Sequence, residues 1–97
     1  MVQKNVFINW IMNNSKLSSS TAGKYAGAIN TISNELKKEG LLGGNMYYIS
    51  DPVLIDALII QYFSIPKYEA KNIRGNRMYS NALKYYKSFV GYQNRMN

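Results

Sequence analysis

Two guanidinium groups flank a glycine and an asparagine in Arg74-Gly75-Asn76-Arg77, and the run continues through Met78, Tyr79 and Ser80 into residues with helical spacing. The start of a helix carries unpaired N–H groups and partial positive charge, so bases gathered there form a site for an anion. The anion that suits a basic chain is a nucleic-acid phosphate. Advancing by about 100° per residue over Asn76 to Tyr92 gathers Tyr79, Leu83, Tyr86 and Val90 on one side, and Arg77, Asn81, Lys84, Ser88, Gly91 and, just beyond, Arg95 on the other. Cations supply affinity for a sugar-phosphate chain and small residues permit close approach, so this stripe has the composition of a helix laid along phosphates. Lys71 and Lys87 stand close by, and Asn76, Ser80 and Asn81 add hydrogen-bonding groups. Lys16, Ser19, Ser20 and Lys24, around the start of an earlier helix, form a second candidate phosphate contact. A solvated face on an ordinary amphipathic helix would carry similar charges, and the arginines beside Gly75 tip the reading toward binding.

Catalytic readings have less behind them. The chain has no His and no Cys, which excludes imidazole metal ligands, His-based triads, thiol chemistry and a disulfide framework. Asp51, followed at a distance by Glu69-Ala70-Lys71, matches the loose spacing of a Mg²⁺-dependent nuclease signature, in which carboxylates hold the metal and lysine helps activate water. That chemistry needs the acids on neighbouring strands, whereas Asp51-Pro52 reads as a helix cap. Gly40, Gly43 and Gly44 lack the Gly-Lys-Ser or Gly-Lys-Thr of a phosphate loop and read as helix termination. The expectation is a binding module with no catalytic residue, metal or cofactor of its own.

The 97 residues suffice for one small domain, and 46% hydrophobic residues with nine Tyr argue against intrinsic disorder. Net charge is +7 and unevenly spread. Residues 1–34 hold Lys4, Lys16 and Lys24 with no acid (+3); residues 35–66 hold Glu35, Glu39, Asp51 and Asp56 against Lys37 and Lys38 (−2). From residue 67 onward, Lys67, Lys71, Arg74, Arg77, Lys84, Lys87 and Arg95 face Glu69 alone (+6), so the C-terminal third is the electrostatic centre. No segment reads as an export signal, and the apolar run from Val53 to Phe63 is half a membrane span and contains Asp56. A cytoplasmic protein without membrane contact is expected.

The elements that must position these residues form an all-α bundle of four main helices plus a short helical turn. A first helix spans Gln3 to Asn13, with Val6, Phe7, Trp10 and Ile11 at helical spacing and Trp10 docked in the core. A second starts at a Ser18 or Ser19 cap and runs to Glu39, where Gly40 ends it. Its inward face is Ala22, Tyr25, Ala26, Ile29, Ile32, Ser33 and Leu36, and Gly23 and Gly27 permit either close packing or tolerance of glycine at some cost. Residues 40–50 read as a loop closing on a short extended piece, with little regular structure. Asp51-Pro52 launches a third helix to Phe63, with Val53, Leu54, Ala57, Leu58 and Ile60 or Ile59 inward. Ser64-Ile65-Pro66 breaks it, Lys67 to Lys71 forms one turn, and the basic helix closes the bundle. Tyr25, Tyr62, Tyr79 and Tyr86 fall on apolar faces with hydroxyls at the rim. Tyr85 and Tyr92 are placed to stack on an unpaired base, and Tyr47, Tyr48 and Tyr68 are undecided.

Three blocks also carry a resemblance: Leu17-Ser18-Ser19-Ser20-Thr21 followed by Tyr25, then Tyr48-Ile49-Ser50-Asp51, and Asn72 through Tyr86. Together they resemble a helical domain found ahead of HNH-type and other restriction-like endonucleases in bacteria. The first block is also similar to the helical core-binding (SAM-like) domain of tyrosine recombinases, a small bundle that clamps duplex DNA while catalysis sits elsewhere. The resemblance implies DNA, duplex in form, as the partner, and a covalently linked nuclease domain that this chain lacks, since an HNH motif needs histidine. Residues 1–97 are then either a piece cut from a longer nuclease or a stand-alone binding module. A protein-interaction module that positions a nuclease or docks an acidic partner is the alternative.

Overall fold

The computed structural model describes residues 2–96, which form five α-helices: α1 (Val2–Asn14), α2 (Ser19–Lys38), α3 (Pro52–Phe63), α4 (Pro66–Arg74) and α5 (Met78–Met96), with a 3-10 turn at Met46–Tyr48. The all-α expectation holds, with the single turn before the basic loop grown into a nine-residue helix. α2 shows local and tertiary signals in agreement. Ser18 is its cap, the hydroxyl accepting from the Thr21 amide at 3.2 Å. At the other end Gly40 takes a left-handed φ of 76°, while the Gly40 and Leu41 amides donate back to the Lys37 and Leu36 carbonyls. All seven residues read as inward are buried, joined by Ala28. Tyr25 meets Tyr85 at 5.6 Å between ring centroids, and Glu35 holds Lys71, whose ammonium lies over Tyr79, so α2 and α5 run antiparallel.

The core joins Phe7 and Ile11 of α1, the α2 face, Ile55, Leu58 and Tyr62 of α3, and Ala82, Leu83, Tyr86, Phe89 and Val90 of α5. Tyr86 is its hub, edge-on to Phe7 and to Tyr47, with its hydroxyl donating to the Met46 carbonyl at 2.9 Å. The stretch expected to be loop closing on a short extended piece is instead a 3-10 turn at Met46–Tyr48, tied down from several sides. The Met46 amide donates to buried Ser33, the Tyr47 hydroxyl to the Ala26 carbonyl, and the Asn45 amide group to Asn30. Met46 and Tyr47 thereby become core residues.

Three expectations are corrected. In α1 the buried side chains are Phe7 and Ile11; Val6 is exposed, and Trp10 is half-buried at the core's edge against Phe89 and Tyr92. α3 is rotated from the expected phase. Ile55, Leu58 and Tyr62 face inward, Ile59 is half-buried, and Val53, Leu54, Ala57 and Ile60 face out. A nearly all-apolar helix carries no phase in its own pattern. Tyr62 sets it, stacked on Tyr68 at 4.7 Å and donating its hydroxyl to Glu35 at 2.7 Å. Finally, the Tyr86 hydroxyl is engaged inside the fold instead of sitting at its rim, whereas that of Tyr62 donates to half-buried Glu35.

No heavy atom lies within 4 Å of where a Cβ would stand on Gly23 or Gly27, so these glycines serve no close approach. Gly23→Ala and Gly27→Ala should each stabilise the fold by about 0.5–1 kcal/mol, measured as a higher urea midpoint at unchanged slope. A second test exploits Tyr47, Tyr62 and Tyr86, whose ionisation is pushed well above the usual tyrosine range, chiefly by burial and for Tyr62 also by the hydrogen bond to Glu35. Unfolded tyrosines lose their protons near pH 10 while these keep theirs, so stability falls as pH rises above about 10 by about 1.4 kcal/mol per tyrosine per pH unit. Urea titrations on either side of that pH, with tyrosinate absorbance followed in parallel, should show ionisation arriving together with unfolding.

Candidate nucleic-acid interface

The basic loop is a helix-to-helix corner built on one asparagine. α4 ends with the Asn76 amide donating to the Ile73 carbonyl and the Arg77 amide to the Asn72 carbonyl at 2.7 Å, the bonding pattern of a left-handed helix stop. The left-handed positions are Asn76 (φ 56°) and Arg77 (φ 62°), and Gly75 has a negative φ. Asparagine tolerates that conformation, whereas an arginine there is strained. Consequently α5 begins at Met78, two residues later than its spacing suggested, and it continues past Tyr92 to Met96. Buried Asn72 also accepts the Ser80 amide on its Oδ1 at 3.0 Å, while the Met78 amide donates to Gly75. The start of α5 is therefore partly closed by the protein itself, and the anion site read at this helix start narrows to the two exposed arginine side chains, Arg74 and Arg77.

Along α5 the apolar face packs inward and leaves Asn81, Lys84 and Ser88 exposed, with Gly91 half-buried and Arg95 exposed near the end. Lys84, Ser88, Gly91 and Arg95 line one open groove of ≈ 450 Å³, together with Lys87 and with Pro52 at the start of α3. Gly91 leaves space for Arg95, whose Nη1 lies 3.7 Å from where a Cβ would stand. Lys84 to Arg95 spans about 16 Å at 1.5 Å per residue, comparable to roughly five base-pair steps of 3.4 Å.

Other cations of the set are engaged. Lys71 is half-buried, 2.7 Å from Glu35 and 4.3 Å above the Tyr79 ring, so it clamps α4 and α5 onto α2 and is withdrawn from the loop's outer surface. Beside it, Lys67 and the Tyr68 hydroxyl both meet Glu39. The Lys67 hydrogen bond, with that of Tyr68 second, holds the Glu39 carboxyl below its usual range, and Glu39 in turn raises Lys67. Lys87 pairs with Asp56 of α3 at 2.7 Å, both about half exposed, at the groove's edge. The Ser80 hydroxyl donates to the Arg77 carbonyl and so serves the corner. Arg74, Arg77, Lys84 and Arg95 make no ion pair among the described residues.

Lys16, in the α1–α2 turn, and Ser19, Ser20 and Lys24, in the first turns of α2, are all exposed. Tyr25, next to Lys24, packs on Tyr85, which occupies the flank of α5 opposite Lys87, so this second cluster is not part of the groove. The two tyrosines placed for stacking are both engaged, Tyr85 half-buried on Tyr25 and Tyr92 leaning on Trp10, while Tyr48, undecided from sequence, is 78% exposed. Asp51 caps α3, its Oδ1 accepting from the Val53 amide at 3.0 Å, and Glu69 stands exposed in the first turn of α4. Among the described residues no three His, Cys, Asp or Glu side chains gather as a metal site would require, and no helix is long and apolar enough to cross a membrane. Sequence reasoning missed Pro52 as a groove wall and Asp56 as the partner of Lys87; neither has a local signal, since both depend on how α3 sits against α5.

Comparison with protein-family models, with curated proteins and with solved structures finds no match to this chain.

The corner yields a paired stability test. Asn72→Ala strands the Ser80 amide and should cost about 1–3 kcal/mol, whereas Arg77→Gly relieves the left-handed residue and should gain about 1 kcal/mol. Chemical denaturation of the two variants should move the midpoint in opposite directions.

Proposed function

We propose that this chain is a non-catalytic DNA-binding module that takes duplex backbone along α5, with limited sequence selectivity, as an accessory part of a restriction-type endonuclease whose catalytic groups lie in another domain. One observation carries the reading: Lys84, Ser88, Gly91 and Arg95 share an outward groove in which, among the described residues, Lys84 and Arg95 make no ion pair and Lys87 alone is paired, with Asp56. Arg74 and Arg77 extend the positive surface beyond the other end of the helix. Phosphates contacted in this way release counterions, and the contacts position the duplex without reading its bases. Asn81 and Ser88 are short donors able to add hydrogen bonds beside the cations. The nuclease connection rests on the three sequence blocks that resemble domains preceding such enzymes.

Asp56 tempers the groove. Its exposed pair with Lys87 contributes little to folding, so an arriving phosphate competes for a lysine held only weakly.

Fluorescence anisotropy with a short duplex at several salt concentrations tests the reading. Contacts from Arg74, Arg77, Lys84 and Arg95 predict log affinity falling with log salt at a slope of roughly −3 to −4, reduced in size by about 1 in Arg95→Ala. Asp56→Asn should tighten binding by about two- to five-fold through release of Lys87. Loss of all DNA retention at moderate salt, or an Arg95→Ala variant with unchanged affinity and slope, would sink the proposal.

A further inference from the structure

Tyr48 is the one tyrosine of nine with most of its surface in water, yet its backbone is firmly held. Its amide donates to the Asn45 carbonyl and the Ile49 amide to the Met46 carbonyl, both at 3.0 Å, closing the 3-10 turn. Asn45 Oδ1 caps that turn by accepting the Tyr47 amide at 2.9 Å, and Met46 and Tyr47 are buried. A ring on a fixed backbone has only two side-chain torsions to lose when a flat partner lies against it. A single exposed aromatic is ordinary on a protein surface, and what sets this one apart is its place. Two residues along, the Ser50 carbonyl accepts the side chain of Asn94, the neighbour of Arg95, and two more bring the chain to Pro52 in the groove wall. The Tyr48 backbone therefore lies within about 7 Å of Ser50, at the end of the groove where Arg95 stands.

We infer that Tyr48 is a stacking platform for an unpaired nucleobase, so that the preferred ligand is a duplex carrying a single-stranded tail. This rests on the reading of the α5 groove as a site for the phosphate backbone. Allowing for the length of the side chain, a strand leaving the groove past Arg95 reaches the ring in roughly four nucleotides at 3.4 Å per stacked step. A base inside a duplex has both faces covered by its neighbours in the stack, so only an unpaired one offers a free face to the ring. Tyr85 and Tyr92 already lie against Tyr25 and Trp10, which leaves Tyr48 as the ring with room on its faces. Stacking is tolerant of base identity, in keeping with contacts that otherwise go to phosphate. The cations hold the backbone first, and a base tethered in this way meets the ring at high effective concentration.

Fluorescence anisotropy can compare a blunt duplex, the same duplex with a four-nucleotide tail at its 3′ or 5′ end, and tailed duplexes whose tail residues are abasic. The abasic tails keep the added phosphates and remove the bases. A natural tail of at least one polarity should bind about five-fold or more tighter than its abasic counterpart. Tyr48→Ala should bring the two level, whereas Tyr48→Phe, which keeps the ring, should preserve the difference; circular dichroism checks the fold of both variants. Natural and abasic tails of equal affinity at both polarities, or a difference that survives Tyr48→Ala, would overturn the inference. In either case salt-dependent binding of the blunt duplex would leave the groove reading standing, whereas a chain that binds none of these ligands removes both.

Discussion

The hydrogen bond from the Tyr86 hydroxyl to the Met46 carbonyl, made inside a cage of Phe7, Tyr47 and Phe89, fixes how α5 is turned about its own axis. A buried hydroxyl has one acceptor available and loses heavily without it, so the helix cannot roll to another face. With Tyr86 inward, Leu83 and Val90 follow on the same side, and Lys84, Ser88 and Arg95 are turned outward. The same bond anchors the 3-10 turn, from which the chain leads to Pro52 at the groove. The Asn94 side chain, donating to the Ser50 carbonyl at 2.6 Å, closes that path at the far end of α5. The candidate surface is thus set by the core beneath it.

Charge distribution adds the second constraint. The acidic middle of the chain is spent on holding the basic end in place: Glu35 takes Lys71 and Tyr62, Glu39 takes Lys67 and Tyr68, and Asp56 takes Lys87. The first two acids lie on one side of α2 and fasten α4, a short, mostly polar helix whose buried residues are Tyr68 and Asn72. What remains unpaired at the basic end among the described residues is Arg74, Arg77, Lys84 and Arg95. The net excess of this segment is therefore concentrated on the α4–α5 corner and the outer side of α5, the arrangement that favours a polyanion.

How much of this was legible depended on whether local and tertiary signals coincided. α2 was readable throughout, because serine and glycine mark its ends and its apolar residues keep a clear 3.6-residue period. The outward stripe of α5 was readable for the same reason, though its start was not: Asn76 and Arg77 look helical by spacing, and only the Asn72 carbonyl and side chain reveal the corner. α3 could be located from Asp51-Pro52, but its uniform apolarity hid which side packs, a matter settled by Tyr62 reaching Glu35 across 27 positions of sequence. Lys71 read as a free cation for the same reason, its partner lying 36 positions away. Met46 and Tyr47 carry no helical signal of their own in the sequence, because their order comes from Ser33, Ala26 and Tyr86, none of them local.

Amide chemical-shift mapping with a short duplex tests the central claim most directly, because it asks where on the molecule the polyanion lies. The account predicts that the perturbed amides trace the outer side of α5, at Asn81, Lys84, Ser88, Gly91 and Arg95, together with Arg74 and Arg77 at the corner. Perturbations confined to α1 or to the outer face of α3, with the α5 amides unmoved, would contradict it.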